Sequence, residues 1–165
     1  MGKLIESKIC LEEFLSIQEL SKEDQVLIAK AEEAATLAYA PYSKFNVGAA
    51  VLLSSGEIVI GNNQENAAYP SGLCAERVAI FAASSKYPKT PILSIAITAQ
   101  SDLISVGELL SPCGSCRQVM VESEYRQNQE IRILLKGDTH KIYVAKTVKD
   151  LLPFCFNPNR IQPKQ

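Results

Sequence analysis

Three cysteines and one glutamate stand at spacings that suit metal-assisted hydrolysis. They are Cys74 and Glu76 in Cys74-Ala75-Glu76, and Cys113 and Cys116 in Pro112-Cys113-Gly114-Ser115-Cys116. Side chains three apart at the start of a helix share one side, so Cys113 and Cys116 can offer both thiolates to a single ion. Zn²⁺ takes thiolates at about 2.3 Å and prefers four ligands in a tetrahedron. With Cys74 as the third ligand one position stays open for water, which separates a catalytic zinc from a structural one. Cys74 and Glu76, two apart, point roughly 200° from each other around a regular helix. They share a site only if the ion lies beyond the helix N-terminus, near its axis. The positive ends of two helices then face the thiolates and lower their pKa values. Three thiolates on one Zn²⁺ leave an excess negative charge, and Arg77 and Arg117, each directly after a motif, are expected to offset it through hydrogen bonds.

Other uses of these cysteines make different demands. A lone Cys-x-x-Cys in an α/β chain is often a redox dithiol, but here Pro112 precedes it and a Cys-x-Glu turn lies upstream. A closed four-cysteine zinc would need Cys155 or Cys10 as fourth ligand and would leave Glu76 without a role. Cys10 and Cys155 read as small buried or half-buried residues. The sole histidine, His140, falls in a hairpin turn and is not read as a ligand.

The elements that must carry these residues follow from the pattern. Ile5, Ser7, Ile9 and Leu11 alternate with polar residues and suggest an edge strand within residues 3–14. Ser21, with Asp24 three positions on, starts a helix expected to run to about Tyr39, with Leu27, Ala31, Ala34 and Ala38 as its apolar stripe and Pro41 as its stop. Residues 47–54 and 57–61, joined by Ser55-Gly56, read as a β-hairpin. Residues 74–85 read as a helix. Residues 92–99 form an apolar run typical of a strand buried on both faces. Residues 116–123 form a further helix. Residues 131–136 and 141–146 flank Gly137-Asp138-Thr139-His140 as a second hairpin. A short helix at about 147–152 leads into an irregular, Pro-containing tail. Helices alternating with strands around one apolar central strand imply an α/β fold, a three-layer α/β/α sandwich with a central mixed sheet.

Composition narrows the partners. With no internal repeat or linker, residues 1–165 read as one domain, residues 1–20 forming an N-terminal extension. The formal charge of −1, with Lys and Arg dispersed, provides no basic stripe for nucleic acid. A small neutral substrate or a protein partner fits better. No apolar run is long enough for a signal peptide or membrane span, and Glu6 stands where a myristoylation pattern needs Ser or Thr. The cytosol is therefore the expected compartment, and an odd count of five cysteines there is not a disulfide framework.

A Cys or His two residues before a Glu, with a later Pro-Cys-x-x-Cys, is the signature of zinc deaminases. The chain resembles cytidine deaminases of the short, homotetrameric, three-cysteine type over about residues 21–156. The resemblance rests on AYAPYSKFNVGAAVL, GNNQENAAYPSGLCAERVAIF, SPCGSCRQVM and KDLLPFCF, in that order. It departs between Ser101 and Leu110, and at Ala68, where Ser or Cys is common. It implies one Zn²⁺ per chain on Cys74, Cys113 and Cys116, with Glu76 as proton shuttle. It further implies that Asn63 and Glu65 hydrogen-bond the ribose 3′-hydroxyl and that Phe45 lies against the base. The backbone of Ala75 would meet the base carbonyl, and Ser111 would lie near the amino group. Tyr69 and Phe156 would complete a neighbouring subunit's pocket. The implied reaction is hydrolysis of cytidine or deoxycytidine to uridine or deoxyuridine with release of ammonia, as in pyrimidine salvage. An alternative is deamination of a cytosine-containing antibiotic of the blasticidin S type, although the sugar block Asn63-Gln64-Glu65-Asn66 favours nucleosides. Polynucleotide-editing enzymes usually carry His where this chain has Cys74, and they need the basic surface it lacks.

Overall fold

The computed structural model describes residues 2–107 and 109–157. Much of the tail expected after the last helix lies outside the described residues. The elements run β1 (Glu12–Phe14), α1 (Lys22–Thr36), β2 (Asn46–Leu53), β3 (Ile58–Asn62), α2 (Ala75–Lys86), β4 (Ile92–Gln100), α3 (Gly114–Gln127), β5 (Arg132–Lys136) and β6 (Ile142–Ala145). Short 3₁₀ turns occur at Ile17–Glu19, Tyr69–Ser71 and Val148–Asp150. The strands form one sheet in the order β1-β6-β5-β4-β2-β3. Only β4 and β5 pair in parallel, across the α3 crossover; the other pairs are antiparallel, so the sheet is mixed.

Strand alternation divides the core between the two faces of the sheet. Ala50, Leu52, Ala96 and Leu134 pack with Leu27, Ile28 and Ala31 of α1. Val51, Ile95, Ile97, Ile133 and Leu135 pack on the other face with Ala79 and Ile80 of α2 and Met120 and Val121 of α3. These are the three expected layers. Gly61 of β3 brings α2 unusually close to the sheet. A Cβ there would lie 2.4 Å from the Ala79 nitrogen and 2.7 Å from the Ala75 carbonyl oxygen. Any larger residue would push away the helix turn that follows Cys74.

Two expectations are corrected. The edge strand covers only Glu12–Phe14, and Leu4, Ile5 and Ile9 are exposed. Its partner β6 ends at Ala145, so Glu12 opposite Val144 is near the last available partner. Ion pairs Glu12–Lys146 and Glu13–Lys141 support that register. Helix α1 ends at Thr36 rather than near Tyr39. The Tyr39 amide bonds instead to the Asn63 carbonyl at 3.0 Å, and the Tyr39 carbonyl accepts from the Glu65 amide at 2.9 Å. Tertiary pairing therefore outcompetes the last helical turn, and α1 ends five residues before Pro41.

A buried carboxylate fixes the far end of α3. Glu124 accepts from the Ile131 amide at 2.9 Å, the Val148 amide at 2.8 Å and the Thr147 hydroxyl at 2.9 Å. These bonds satisfy an acid that would otherwise be costly to bury. They also hold the chain after β6 against the helix that carries Cys116.

Candidate active site

Helix N-caps usually carry Ser, Thr, Asp or Asn, whose oxygen accepts a backbone amide. Here Cys74 caps α2 and Cys113 caps α3, and neither side chain makes a capping bond. Both sulfurs are directed elsewhere. Together with Cys116, which is fully buried in the first turn of α3, they lie within 4.8 Å of one another. The Cys113 and Cys116 sulfurs are 3.5 Å apart. Tetrahedral zinc with bonds near 2.3 Å needs sulfurs about 3.8 Å apart, so the donor set suits that ion in both chemistry and spacing. Cys10, exposed rather than buried or half-buried as expected, is not part of the cluster, nor are His140 and half-buried Cys155.

Electrostatics favour an anionic sulfur at Cys74. The Cys74 thiol is lowered to about 5, first by a hydrogen bond with Cys116 and, against its burial, by the Arg77 guanidinium. Cys116 is pushed up by the same hydrogen bond and by burial. Arg77 Nη2 lies 3.5 Å from the Cys74 sulfur. Its Nε is buried and, among the described residues, without a hydrogen-bond partner.

Glu76 is only 4% exposed. Burial pushes its carboxyl above the usual glutamate range, and the charge on Cys74 adds to the effect. A carboxyl shifted in this direction is a stronger proton acceptor than an ordinary glutamate and is suited to both taking and returning a proton. Glu76 and two of the thiols line a cleft of about 580 Å³, within the size range of small-molecule sites. Its lining includes Phe45, Val47, Ile97 and Leu110 together with Asn63, Glu65 and Tyr69.

Backbone pairing in the segment after β3 gathers these residues. Gln64 and Leu73 exchange both backbone hydrogen bonds, at 2.9 and 3.0 Å, which folds residues 64–73 into a closed loop leading to Cys74. Asn63 spends its side chain on the approach to β2, accepting from the Val47 amide at 2.8 Å and donating to the Phe45 carbonyl at 2.9 Å. One N–H and one lone pair of that amide remain for a ligand. Glu65 accepts from the Tyr42 and Ser43 amides at 2.9 and 3.2 Å, and its carboxyl is lowered first by the Ser43 side chain. Ala75 is fully buried behind the cleft. Tyr69 is 85% exposed at the rim, and Phe156, 68% exposed, lies outside the lining.

Arg117 does something other than meet the sulfurs. Its guanidinium donates to the Pro112 carbonyl at 2.7 Å, the Leu151 carbonyl at 2.6 Å and the Ser111 hydroxyl at 2.6 Å. It fastens the turn before Cys113 to the C-terminal segment. Backbone carbonyls occur at every position, so the sequence carries no signal for these partners. Lysine keeps the charge but loses the planar fork. Arg117→Lys is therefore expected to destabilise nearly as much as Arg117→Gln, by about 2–3 kcal/mol from charge-assisted hydrogen bonds. Urea denaturation of both variants checks this, and a wild-type midpoint for the lysine variant would return the residue to a charge role.

A family profile described as the cytidine and deoxycytidylate deaminase zinc-binding region matches residues 21–129. The chain belongs to this family. It is 40% identical over 132 residues to a cytidine deaminase of Halalkalibacterium halodurans, covering 80% of this chain and 92% of that one. It is 41% identical over 116 residues to a cytidine deaminase of Mycobacterium tuberculosis, covering 68% and 83%. The crystal structure of cytidine deaminase from Burkholderia pseudomallei superposes with a TM-score of 0.69 at 36% identity, covering 79% of this chain and 97% of that one. Family and cysteine cluster together fit one zinc per chain. They favour the nucleoside reading over the antibiotic one. No helix among the described residues is long and apolar enough to cross a membrane.

Proposed function

We propose that this chain hydrolyses cytidine and 2′-deoxycytidine to uridine and 2′-deoxyuridine, releasing ammonia. The observation that carries the reading is a buried glutamate beside three clustered thiols in a cleft of nucleoside size. Bound zinc, held by Cys74, Cys113 and Cys116, supplies a Lewis acid that makes water a competent nucleophile near neutral pH. Glu76 takes the proton of the attacking water and delivers it to N3 of the cytosine ring, making C4 electrophilic. It then takes the second water-derived proton from the new C4 hydroxyl and passes it to the amino nitrogen, so that the C4–N bond breaks, ammonia leaves and the C4 carbonyl forms. Phe45 packs against the base, the Ala75 backbone meets the base carbonyl, and Ser111 lies near the amino group. Arg77 lowers the charge on Cys74, and Arg117 sets the turn that presents Cys113.

The charged groups of the cleft lining support a free nucleoside over its 5′-phosphate. Among the described residues the one cationic side chain in the lining is Arg77, which faces Cys74, while Glu65 would repel a phosphate. Asn63 and Glu65 hold the 3′-hydroxyl in this reading. Exposed Tyr69 and Phe156 complete the pocket of a neighbouring copy in a homotetramer. Residues 1–165 act as one domain with residues 1–20 as an extension, working in cytosolic pyrimidine salvage.

Ammonia release separates these features. Cytidine and 2′-deoxycytidine should react well, and deoxycytidine 5′-monophosphate poorly. Losing the 3′-hydroxyl leaves buried polar groups unpaired at about 1–3 kcal/mol, so 3′-deoxycytidine should be about 5- to 150-fold worse in kcat/KM. Glu65→Gln should narrow that gap and spare the zinc. Equal rates on cytidine and 3′-deoxycytidine would sink the sugar assignment while leaving the zinc chemistry standing.

A further inference from the structure

Beside the lining contributed by Asn63 to Arg77, two walls of the cleft arrive from different parts of the chain. One is the turn from Tyr42 to Phe45 leading into β2. The other is Leu110–Cys113, at the end of the loop after β4. The β2–β4 ladder ends at Asn46 opposite Gln100. One residue further on, the Ser101 hydroxyl donates to the Lys44 carbonyl at 2.8 Å. The same oxygen accepts from the Leu103 and Ile104 amides, both at 3.2 Å, and so starts the loop that leads to the second wall.

Lys44 is the point in the first wall that most needs holding. Its φ is 56°, a left-handed conformation that side-chain-bearing residues adopt at a cost. The amides of the turn and the Phe45 carbonyl are bound elsewhere. Glu65 takes the Tyr42 and Ser43 amides, Ala40 takes the Lys44 amide, the Ser43 hydroxyl takes the Phe45 amide, and Asn63 takes the Phe45 carbonyl. The Lys44 carbonyl is left to Ser101. The other side chains that hold this turn line the cleft themselves, whereas Ser101 does not.

We infer that Ser101 is a positioning residue for the substrate, a latch that joins the Phe45 turn to the loop carrying Leu110 and Ser111. Its hydroxyl extends the β2–β4 ladder by one bond and keeps the strained Lys44 peptide in place. Phe45 and the amides that orient Glu65 are thereby preorganised before substrate arrives. Because the Lys44 carbonyl is exposed, water can replace the hydroxyl without unfolding the chain. Loss of the latch therefore spreads the turn over more conformations, and weakens binding in ground and transition states alike.

The inference rests on the nucleoside reading for its kinetic half and on exchange for its structural half. In zinc-loaded enzyme, Ser101→Ala should raise KM for cytidine by about 3- to 10-fold, the span for one neutral hydrogen bond. The kcat should stay within about twofold and zinc content should not change. Backbone hydrogen exchange in residues 42–47 should quicken while that in α3 stays as in wild type. Ser101→Thr, which keeps the hydroxyl, should restore both readouts. Unchanged exchange in residues 42–47 overturns the latch. Faster exchange with unchanged KM, or a fall in kcat with loss of zinc, overturns the substrate role. If wild-type enzyme releases no ammonia from cytidine, the nucleoside reading fails, and exchange alone decides whether Ser101 holds the turn.

Discussion

Glu76→Gln is expected to lower kcat by about 10⁴-fold or more while leaving the zinc in place. General acid–base catalysis by one group is typically worth about 10²- to 10⁴-fold. Glu76 serves two transfers, to the ring nitrogen and to the leaving amine, so the loss belongs at or above the top of that range. Glutamine has nearly the same shape, so the first turn of α2 and the three sulfurs should not move. It also removes a carboxyl that burial disfavours in its charged form, and the thermal midpoint should hold or rise. The pH profile gives a second check. Because burial raises this pKa, activity should fall with decreasing pH above the ordinary glutamate range, as the carboxyl protonates and can no longer accept. That acid limb should vanish in the glutamine variant. A variant keeping a tenth of wild-type turnover would show that another group moves the protons.

Replacing any one of Cys74, Cys113 or Cys116 by serine should cost most of the bound zinc, and with it both activity and stability. Removing one donor leaves two thiolates, too few for the tetrahedral site that the remaining geometry offers. A metal present at about 1,000 times its Kd stabilises the folded chain by about 4 kcal/mol. For a domain of this size that corresponds to a midpoint shift of about 8–16 °C. Chelation of the wild type should reproduce the shift, and the serine variants should no longer respond to chelator. Cys10→Ser and Cys155→Ser should retain the zinc, since neither sulfur belongs to the cluster. Loss of metal on removing Cys155 would point to a closed four-cysteine site and leave Glu76 without its chemistry. Metal analysis by mass spectrometry and a thermal melt suffice for all five variants.

The contrast between Arg77 and Arg117 shows where reading the chain reaches its limit. Both follow a cysteine motif and both invite the same charge argument. The structure brings Arg77 to the Cys74 sulfur and sends Arg117 to the carbonyls of Pro112 and Leu151. The first partner is a rare side chain a helical turn away. The second set is generic backbone, one member of it 34 residues distant. Chain proximity carries the first kind of contact and says nothing of the second.

What could be read from the chain alone were features settled within a few residues of themselves. Ser21 with Asp24 marks the start of α1, and its hydroxyl does accept the Asp24 amide at 3.1 Å. Ser55-Gly56 marks a hairpin, and Gly56 has the positive φ of 93° that favours glycine. The ligand set is legible for the same reason, because Cys113 and Cys116 are neighbours on one helix turn and Cys74 and Glu76 flank a single residue. The nearly continuous apolar run of β4 further shows that both faces of the sheet are covered. Tertiary structure alone decided which helix covers which face, the strand order, and the end of α1 at Thr36. It also decided the cleft walls, because Val47, Ile97 and Leu110 look in sequence like any other core residues. The same holds for the juxtaposition of Ser101 with Lys44. Apolar patterning records that a side chain is shielded from water, and every residue carries the same backbone donor and acceptor. Neither records the partner, which only the packed chain selects.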